Sequence, residues 1–412
     1  MNNVLAIIGE YNPFHNGHLY HLNESIKFAD PEATILILSG NFTQRGEPAF
    51  IDKWKRTTIA LQHGIDLVIE LPLLYSISSA ENFALGSISI LNSLKIVNYL
   101  SFGSECGNIN TLNSFADVLT NEPPEYKSLL KHELSKGISF PKARENALLL
   151  YLNDIRKYSN ILNNPNNILG IEYLKALKLT KSKIQPITIS RYISSHNSKN
   201  YNNGYASGTA IRDMITNNNY DDLYSVVPQF SYEILMNALR SGEFVSSLKC
   251  FEKEILFVLR YMSENEISNL PLVSEGLENL IKEAVSDCNT LDELIDKIKS
   301  KRYTQTRIHR ILLYALLGYT KEDIDILSKN MNYIRVLGAT KKGKDLLSII
   351  YNKNSKLKIV TSIKPYEEYL EKKNKPMFSL LQKDILSTDV YTLGYLKNSK
   401  AGLDYTNKFI SI

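Results

Sequence analysis

Five short β-branched runs, at residues 4–8, 34–38, 66–71, 99–102 and 184–189, alternate with segments whose apolar residues recur at helical spacing. The helical segments fall at 19–28, 52–62, 79–94, 109–119, 141–152 and 168–177. This alternation leaves few architectures open. Parallel strands need a crossover connection, and that crossover is right-handed and covers one face of the sheet. The pattern predicts an α/β fold with a parallel sheet covered on both sides. Ligands of such sheets bind beyond the carboxyl ends of the strands, so every polar loop that follows a run is a candidate site element. Past residue 230 helical periodicity takes over, at 232–239, 246–262, 277–286, 291–300, 306–317 and 321–329, before a smaller mixed segment. Val226-Val227-Pro228 marks the expected boundary between a nucleotide-binding domain, 1–228, and a mainly helical C-terminal region, 229–412.

The loop after the first run reads Tyr11-Asn12-Pro13-Phe14-His15-Asn16-Gly17-His18. Asn12-Pro13 makes a turn and delays the helix, since proline disfavours αR in the residue before it. Gly17 lets the backbone come close to a phosphate. The helix that begins there directs free N–H groups and its positive dipole end at the same anion. His15 and His18, three apart at this turn, are the candidate catalytic pair, placed to meet nucleotide phosphates where charge builds during attack at the α-phosphorus. The alternative is a chance pair of loop histidines, against which the strand–turn–helix context and a total of seven histidines argue.

Four further loops follow strands or open helices. Ser39-Gly40-Asn41-Phe42 leads into Thr43-Gln44-Arg45-Gly46-Glu47-Pro48, and Phe102-Gly103-Ser104-Glu105 follows the fourth run. Ser190-Arg191 follows the fifth, with Ser194-Ser195 just beyond. In the fourth, Ser207 and Thr209 sit where N-caps belong and Arg212 one turn in, suited to a leaving pyrophosphate or merely to a helix surface. Asn163-Asn164-Pro165-Asn166-Asn167 reads first as a capped helix start. Residues 197–203 read as a mobile surface loop.

A formal charge of +5 over 412 residues says little about partners. Cys106, Cys250 and Cys288 form no CxxC and no disulfide framework, as expected in a reducing cytoplasm. The chain enters its first strand without a basic n-region, and its apolar stretches are too short to span a bilayer, so a soluble cytoplasmic protein is expected. Locally, Lys297, Lys299, Lys301, Arg302, Arg307 and Arg310 occur without an intervening acid, interleaved with Tyr303 and His309. Such a cluster suits a phosphate backbone with stacking on an unpaired base, or equally a solvated helix face. Tyr333-Ile334-Arg335 with Lys341, Lys342 and Lys344 forms a second, similar cluster.

Taken together, these residues carry a resemblance. The first half resembles the HIGH-motif nucleotidylyltransferases, with HxGH at His15–His18 and a Ser-x-Thr-x-Ile-Arg-like element at Ser207–Arg212. More closely, the chain resembles the bacterial tRNA(Met) cytidine acetate ligase family. The resemblance rests on Glu10 through Tyr20, on Gln44-Arg45-Gly46-Glu47-Pro48-Ala49, on Gly64 through Pro72, and on Phe102-Gly103-Ser104-Glu105. It continues in Pro165 through Gly170, Lys301-Arg302-Tyr303-Thr304 and Arg335-Val336-Leu337-Gly338, and so covers nearly the whole chain. Gly9 departs from the pattern, where a larger β-branched residue is expected; this should loosen the end of the first strand without removing a ligand contact.

The resemblance implies a Rossmann-like sheet and an ATP-dependent enzyme that forms N4-acetylcytidine at the wobble position of elongator tRNA(Met) from free acetate. It further implies that Ile7, Ile8, Gly9, Glu10, Tyr11, Asn12, Pro13, Phe14, Asn16 and Gly17 contact ATP, with Gly103, Asn166, Asn167 and Arg191. Ser207, Thr209 and Arg212 are also expected at ATP, Arg212 on the leaving group, and Lys301, Arg302, Arg307 and Arg310 are expected at tRNA. Magnesium is expected with ATP, although no metal ligand is assigned because the sequence offers no clear carboxylate cage. No membrane and no stable protein partner is expected. Two other readings stay open: an adenylyltransferase acting on a small phosphate or mononucleotide, and an RNA-binding protein holding ATP only structurally.

Overall fold

The computed structural model describes residues 3–153, 158, 160–191 and 204–412; Ser194-Ser195 and the 197–203 stretch lie outside the described residues. One sheet organises the chain, in the order β5-β4-β1-β2-β3-β6-β7 with β8 also on β6. Its strands are β1 (Val4–Gly9), β2 (Ala33–Ser39), β3 (Leu67–Leu71), β4 (Tyr99–Ser104), β5 (Gln185–Ser190), β6 (Tyr333–Ala339), β7 (Lys358–Val360) and β8 (Ile410–Ser411). The five strands of the first half pair in parallel, as the alternation predicts. The chain leaves β1 toward β2 and β3, then returns to β4 on the other side, so the crevice of a topological switch point opens between β1 and β4.

Helices cover both faces. Those used below are α1 (Asn16–Ala29), α2 (Lys53–Gln62), α3 (Ala80–Leu94), α4 (Ile109–Asn121), α5 (Pro165–Leu179), α6 (Gly208–Thr216), α7 (Gln305–Leu317) and α8 (Lys375–Leu393). Strand β2 shows the two-sided logic in miniature, since every residue of it is buried. Ile35 and Ile37 enter a core shared with α3, α4 and α5, whereas Leu36 and Leu38 enter a second core with α2 and α6. Strand β1 continues through Gly9, opposite Leu38. A Cβ at Gly9 would stand 3.1 Å from the Tyr11 ring, so the departure from the family pattern leaves room for Tyr11 to fold back.

The second half is helical where periodicity placed helices, with two adjustments. The 246–262 segment is a 3₁₀ turn, Leu248–Phe251, running into a helix at Glu252–Tyr261. The 291–300 segment ends at Ile298, because Lys299 adopts extended backbone. The sequence also missed the helix Pro124–Ser135, which is largely exposed and carries little apolar periodicity.

The sheet does not stop at residue 228. Strand β6 pairs antiparallel with β3 and carries β7 and β8 on its outer edge. The core that contains Val4 and Ile35 also contains Ile311 and Leu312 of α7 and Leu381 of α8. A ring of buried charges reinforces the join. Lys53 Nζ lies 2.9 Å from both Glu70 Oε1 and Asp404 Oδ1, and Arg335 contacts Glu70 at 3.1 Å and Asp404 as well. Two cations and two carboxylates balance, the condition under which such a cluster is tolerated inside a protein.

Candidate active site

Helix α1 opens with an unusual cap. His15 is its N-cap, and its Nδ1 accepts the Gly17 N–H at 3.0 Å. Reciprocally, His18 Nδ1 accepts the His15 N–H at 3.3 Å. The result is a capping box built from two imidazoles instead of a hydroxyl and a carboxylate. With Nδ1 an acceptor in each ring, the single proton of each neutral imidazole belongs on Nε2. Neither Nε2 has a protein partner among the described residues. The rings stack 3.8 Å apart. Burial, helped by the nearby Arg191 charge, pushes His15 down to about 3 and holds His18 well below the usual histidine range. At neutral pH the pair therefore offers two uncharged N–H donors.

Gly17 has a sharper role than approach to phosphate. A Cβ there would stand 2.9 Å from His15 Cε1, so a side chain would evict the capping ring. One turn further, His21 Nε2 meets Ser101 Oγ at 3.1 Å, and burial together with Arg191 pushes His21 down to about 4. The sequence reading missed His21, although its place three residues past His18 puts it on the same helix face.

These rings line a cavity of about 620 Å³ at the carboxyl ends of β1, β4 and β5. Of the expected nucleotide residues, Ile7, Ile8, Gly9, Glu10, Tyr11, Asn12, Gly17, Gly103, Asn166, Arg191, Ser207, Thr209 and Arg212 line it with His15 and His18. Four expected residues do not. Phe14 is fully buried against Tyr11, His18 and His63, and Pro13 is buried beside it in a cis peptide bond. Asn16 instead donates to the Gly204 and Ser225 carbonyls. Asn167 is buried, accepting the Cys106 N–H at 3.1 Å and donating to the Ile161 carbonyl. These four hold the site from behind.

At the β4–β5 end, Glu105 caps α5: its carboxylate accepts the Asn167 N–H at 2.8 Å and the Asn166 side-chain amide at 2.7 Å. Asn166 Oδ1 in turn accepts from Arg191 at 3.2 Å. At the opposite wall Ser207 caps α6, accepting the Ala210 N–H, and Arg212 reaches back to the Asn12 carbonyl at 2.8 Å. Arg212 is thus a pocket residue and not a free helix-surface cation.

The loop after β2 supplies the third wall. Thr43 N–H bonds the Glu47 carbonyl and Gly46 N–H the Thr43 carbonyl, closing a tight turn. Gly46 has φ +74°, and a Cβ there would stand 2.6 Å from the Arg310 nitrogen. Glycine is required twice over: by backbone conformation and by the approach of α7. Arg310 Nε donates to the Gln44 carbonyl at 2.6 Å, while the Gln44 N–H donates to Glu10 Oε1 at 2.6 Å. Beneath this loop Arg56 is fully buried, donating to the carbonyls of Ile51 at 3.0 Å, Glu10 at 2.8 Å, Ser39 at 2.9 Å and Gly40. The sequence marks this loop as a candidate site element but assigns no individual role to its residues. Only the fold brings Thr43, Gln44, Arg45, Glu47, Thr306 and Arg310 into the cavity.

The basic cluster meets a different outcome. Arg310 leaves it for the cavity. Arg302 pairs with Glu275, Lys297 with Asp287, and Arg307 bonds the Leu272 carbonyl and Ser274 hydroxyl. Lys301 alone of the four expected tRNA residues is exposed without a partner among the described residues. In the second cluster Arg335 belongs to the buried ring with Glu70 and Asp404.

This arrangement has known counterparts. The family model described as HIGH Nucleotidyl Transferase matches residues 1–404. A tRNA(Met) cytidine acetate ligase of Thermoanaerobacter sp. (strain X514) is 46% identical, covering 99% of this chain and 100% of that one. One of Acetivibrio thermocellus is 44% identical over 99% of each. The chain belongs to the tRNA(Met) cytidine acetate ligase family. The crystal structure of Thermotoga maritima TmcAL bound with alpha-thio ATP, 33% identical, superposes with a TM-score of 0.90 over 100% of this chain and 99% of that one. The apo form of that protein superposes at 0.92. The match to the family model runs on to residue 404, so α7, β6 and β7 lie within it as the HxGH turn does. No described helix is long and apolar enough to cross a membrane.

Proposed function

We propose that the protein is an ATP-dependent ligase that joins acetate to N4 of the wobble cytidine of elongator tRNA(Met). Acetate attacks the α-phosphorus of ATP in line, giving acetyl-adenylate and pyrophosphate; the cytosine amine then takes the acetyl group and AMP leaves. The single observation that carries this reading is one cavity lined by both the HxGH imidazoles and α7 of the second half. An enzyme adenylylating a small phosphate needs the first wall and has no use for the second.

In this reading His15 and His18 donate Nε2–H to phosphate oxygens, where neutral donors bind charge without closing the site to product release. Arg212 and the Ser207-capped end of α6 hold the leaving pyrophosphate, and Arg191, Asn166 and Gly103 hold the nucleoside. Catalysis at this step is positioning and charge stabilisation. Magnesium would accompany ATP as part of the substrate and supply charge neutralisation there; no described group of three or more His, Cys, Asp or Glu side chains could hold a metal ion. The region 229–412 is assigned to tRNA and the protein to the cytoplasm, where tRNA, ATP and free thiols coexist. The test is incubation with ATP, labelled acetate and bulk tRNA followed by nucleoside analysis. Labelled N4-acetylcytidine with equimolar AMP and pyrophosphate is expected; pyrophosphate release that does not depend on acetate would refute the assignment.

A further inference from the structure

Glu10 is an odd residue to find in a triphosphate site. It lines the same cavity as His15, His18 and Arg212, at the mouth of β1, where a carboxylate repels phosphate. Among the described residues Oε1 accepts the Gln44 N–H and Oε2 has no hydrogen-bond partner. The carbonyl of the same residue, Gln44, receives Arg310 Nε, so one residue's backbone holds both side chains, and the Glu10 charge acts on the Arg310 guanidinium. Both guanidinium Nη groups of Arg310 lack hydrogen-bond partners among the described residues. An acceptor and a donor set beside each other in a cavity match the edge of cytosine, whose N4 amine donates and whose N3 and O2 accept. Uracil would turn a carbonyl toward the carboxylate.

We propose that Glu10 and Arg310 form the subsite for the acceptor cytosine, with Glu10 taking the proton from its exocyclic amine. This rests on the ligase reading above and deepens it. As N4 attacks the acetyl carbonyl carbon, a C–N bond forms and the bond between that carbon and the adenylate oxygen breaks. AMP departs with the electron pair, and the amine proton passes to the Glu10 carboxylate. Burial raises the Glu10 carboxyl above its ordinary value against the Gln44 hydrogen bond and the charges of Arg45, Arg56 and Arg212, which strengthens the carboxylate as a proton acceptor. The arrangement also explains why α7 enters the cavity: Arg310 is held by the same residue, Gln44, that holds the Glu10 carboxylate, so the acceptor subsite exists only when the two halves are docked.

Two partial reactions separate this role from ATP binding. Acetate-dependent ATP–pyrophosphate exchange reads adenylate formation alone, and N4-acetylcytidine formation reads the transfer. In Glu10→Gln the ratio of transfer to exchange should fall at least a hundredfold relative to the unmodified protein. A ratio within threefold of the unmodified value, whether both rates collapse or both persist, overturns the proposal. If Glu10→Gln does not fold, Arg310→Gln carries the same test, with a tenfold fall in the ratio expected and an unchanged ratio overturning it. If the unmodified protein shows neither acetate-dependent exchange nor acetylation, the ligase reading itself fails, and that outcome is distinct from both.

Discussion

Arg56 is the residue whose loss should cost the site most without touching a ligand. Its guanidinium sits fully buried at the start of α2 and gives hydrogen bonds to four carbonyls, from Ile51, Glu10, Ser39 and Gly40. Those carbonyls belong to the loops after β1 and β2 and to the segment entering α2, so one side chain fixes the relative position of two cavity walls. Arg56→Met keeps the length of the stem and removes every donor. Ser39 lies at the end of β2, but among the described residues the Glu10, Gly40 and Ile51 carbonyls accept no other backbone bond outside the helices and strands. Each buried acceptor left without a partner costs roughly 1–3 kcal/mol. Three of them give about 3–6 kcal/mol after allowing for partial relaxation, a large part of the roughly 5–15 kcal/mol that holds a domain together. Arg56→Lys should recover little, because one ammonium cannot span acceptors arranged around a planar fork. The assay is urea unfolding followed by fluorescence, paired with the KM for ATP in pyrophosphate exchange. Both variants should lose several kcal/mol, and the KM for ATP should rise at least tenfold as the Glu10 and Gly40 loops separate. A loss below about 1 kcal/mol in Arg56→Met would refute the argument, since it would mean the four carbonyls find other donors.

Other expectations follow from single contacts. His18→Ala should abolish pyrophosphate release while far-UV circular dichroism stays native; near-normal acetylation by this variant would remove the imidazole from the chemistry. His15 and His21, held near 3 and 4, take up protons more readily unfolded than folded, so stability is full above about pH 6.5 and falls as pH drops toward their folded values. Between pH 7 and 5 each ring should cost about 2 kcal/mol in urea titrations, and His21→Asn should flatten that dependence measurably. Gly46→Ala forces a Cβ into the α7 backbone at a positive φ and should destabilise by about 1–3 kcal/mol while raising the KM for tRNA. Neutralising Lys301, Arg302 and Arg307 together should weaken tRNA binding and flatten its salt dependence. Arg307→Ala alone should also lower the melting temperature, because its partners are the Leu272 carbonyl and Ser274.

What was legible in the chain was whatever short-range physics specifies. The runs at 4–8, 34–38 and 99–102 became β1, β2 and β4 within two residues at each end, since both-face burial leaves no other use for a β-branched run between turns. The HxGH turn was legible for the same reason, with its context contained in eighteen residues. Strands β6, β7 and β8 were not, because strands of seven, three and two residues on the far side of a long helical region carry no local signal of pairing with β3. The cation cluster shows a second limit of local patterns. Charge spacing along the chain says nothing of partners 20 to 35 positions away, such as Glu275 for Arg302 and the Leu272 carbonyl for Arg307. Asn166 and Asn167 are adjacent and chemically identical, yet only Asn166 lines the cavity. That choice is made by the phase of α5, which turns Asn167 toward the Ile161 carbonyl.

The strands beyond residue 228 bear directly on the chemistry. A reaction in two steps needs the acceptor wall placed against the nucleotide wall to within fractions of an ångström, and a flexible linker between independent domains does not supply that. Here β6 is hydrogen-bonded to β3, Lys53 and Arg335 share the Glu70 and Asp404 carboxylates, and the Tyr314 hydroxyl of α7 bonds the Ile77 carbonyl at 3.1 Å. Each contact joins sequence positions more than 230 residues apart except the Lys53–Glu70 and Arg335–Asp404 pairs. Arg310, four residues before Tyr314 on the same helix, therefore reaches Gln44 from a rigid platform. The second half is bolted through the sheet itself, and that rigidity is what lets a residue from α7 and one just past β1 bond the backbone of the same residue, Gln44.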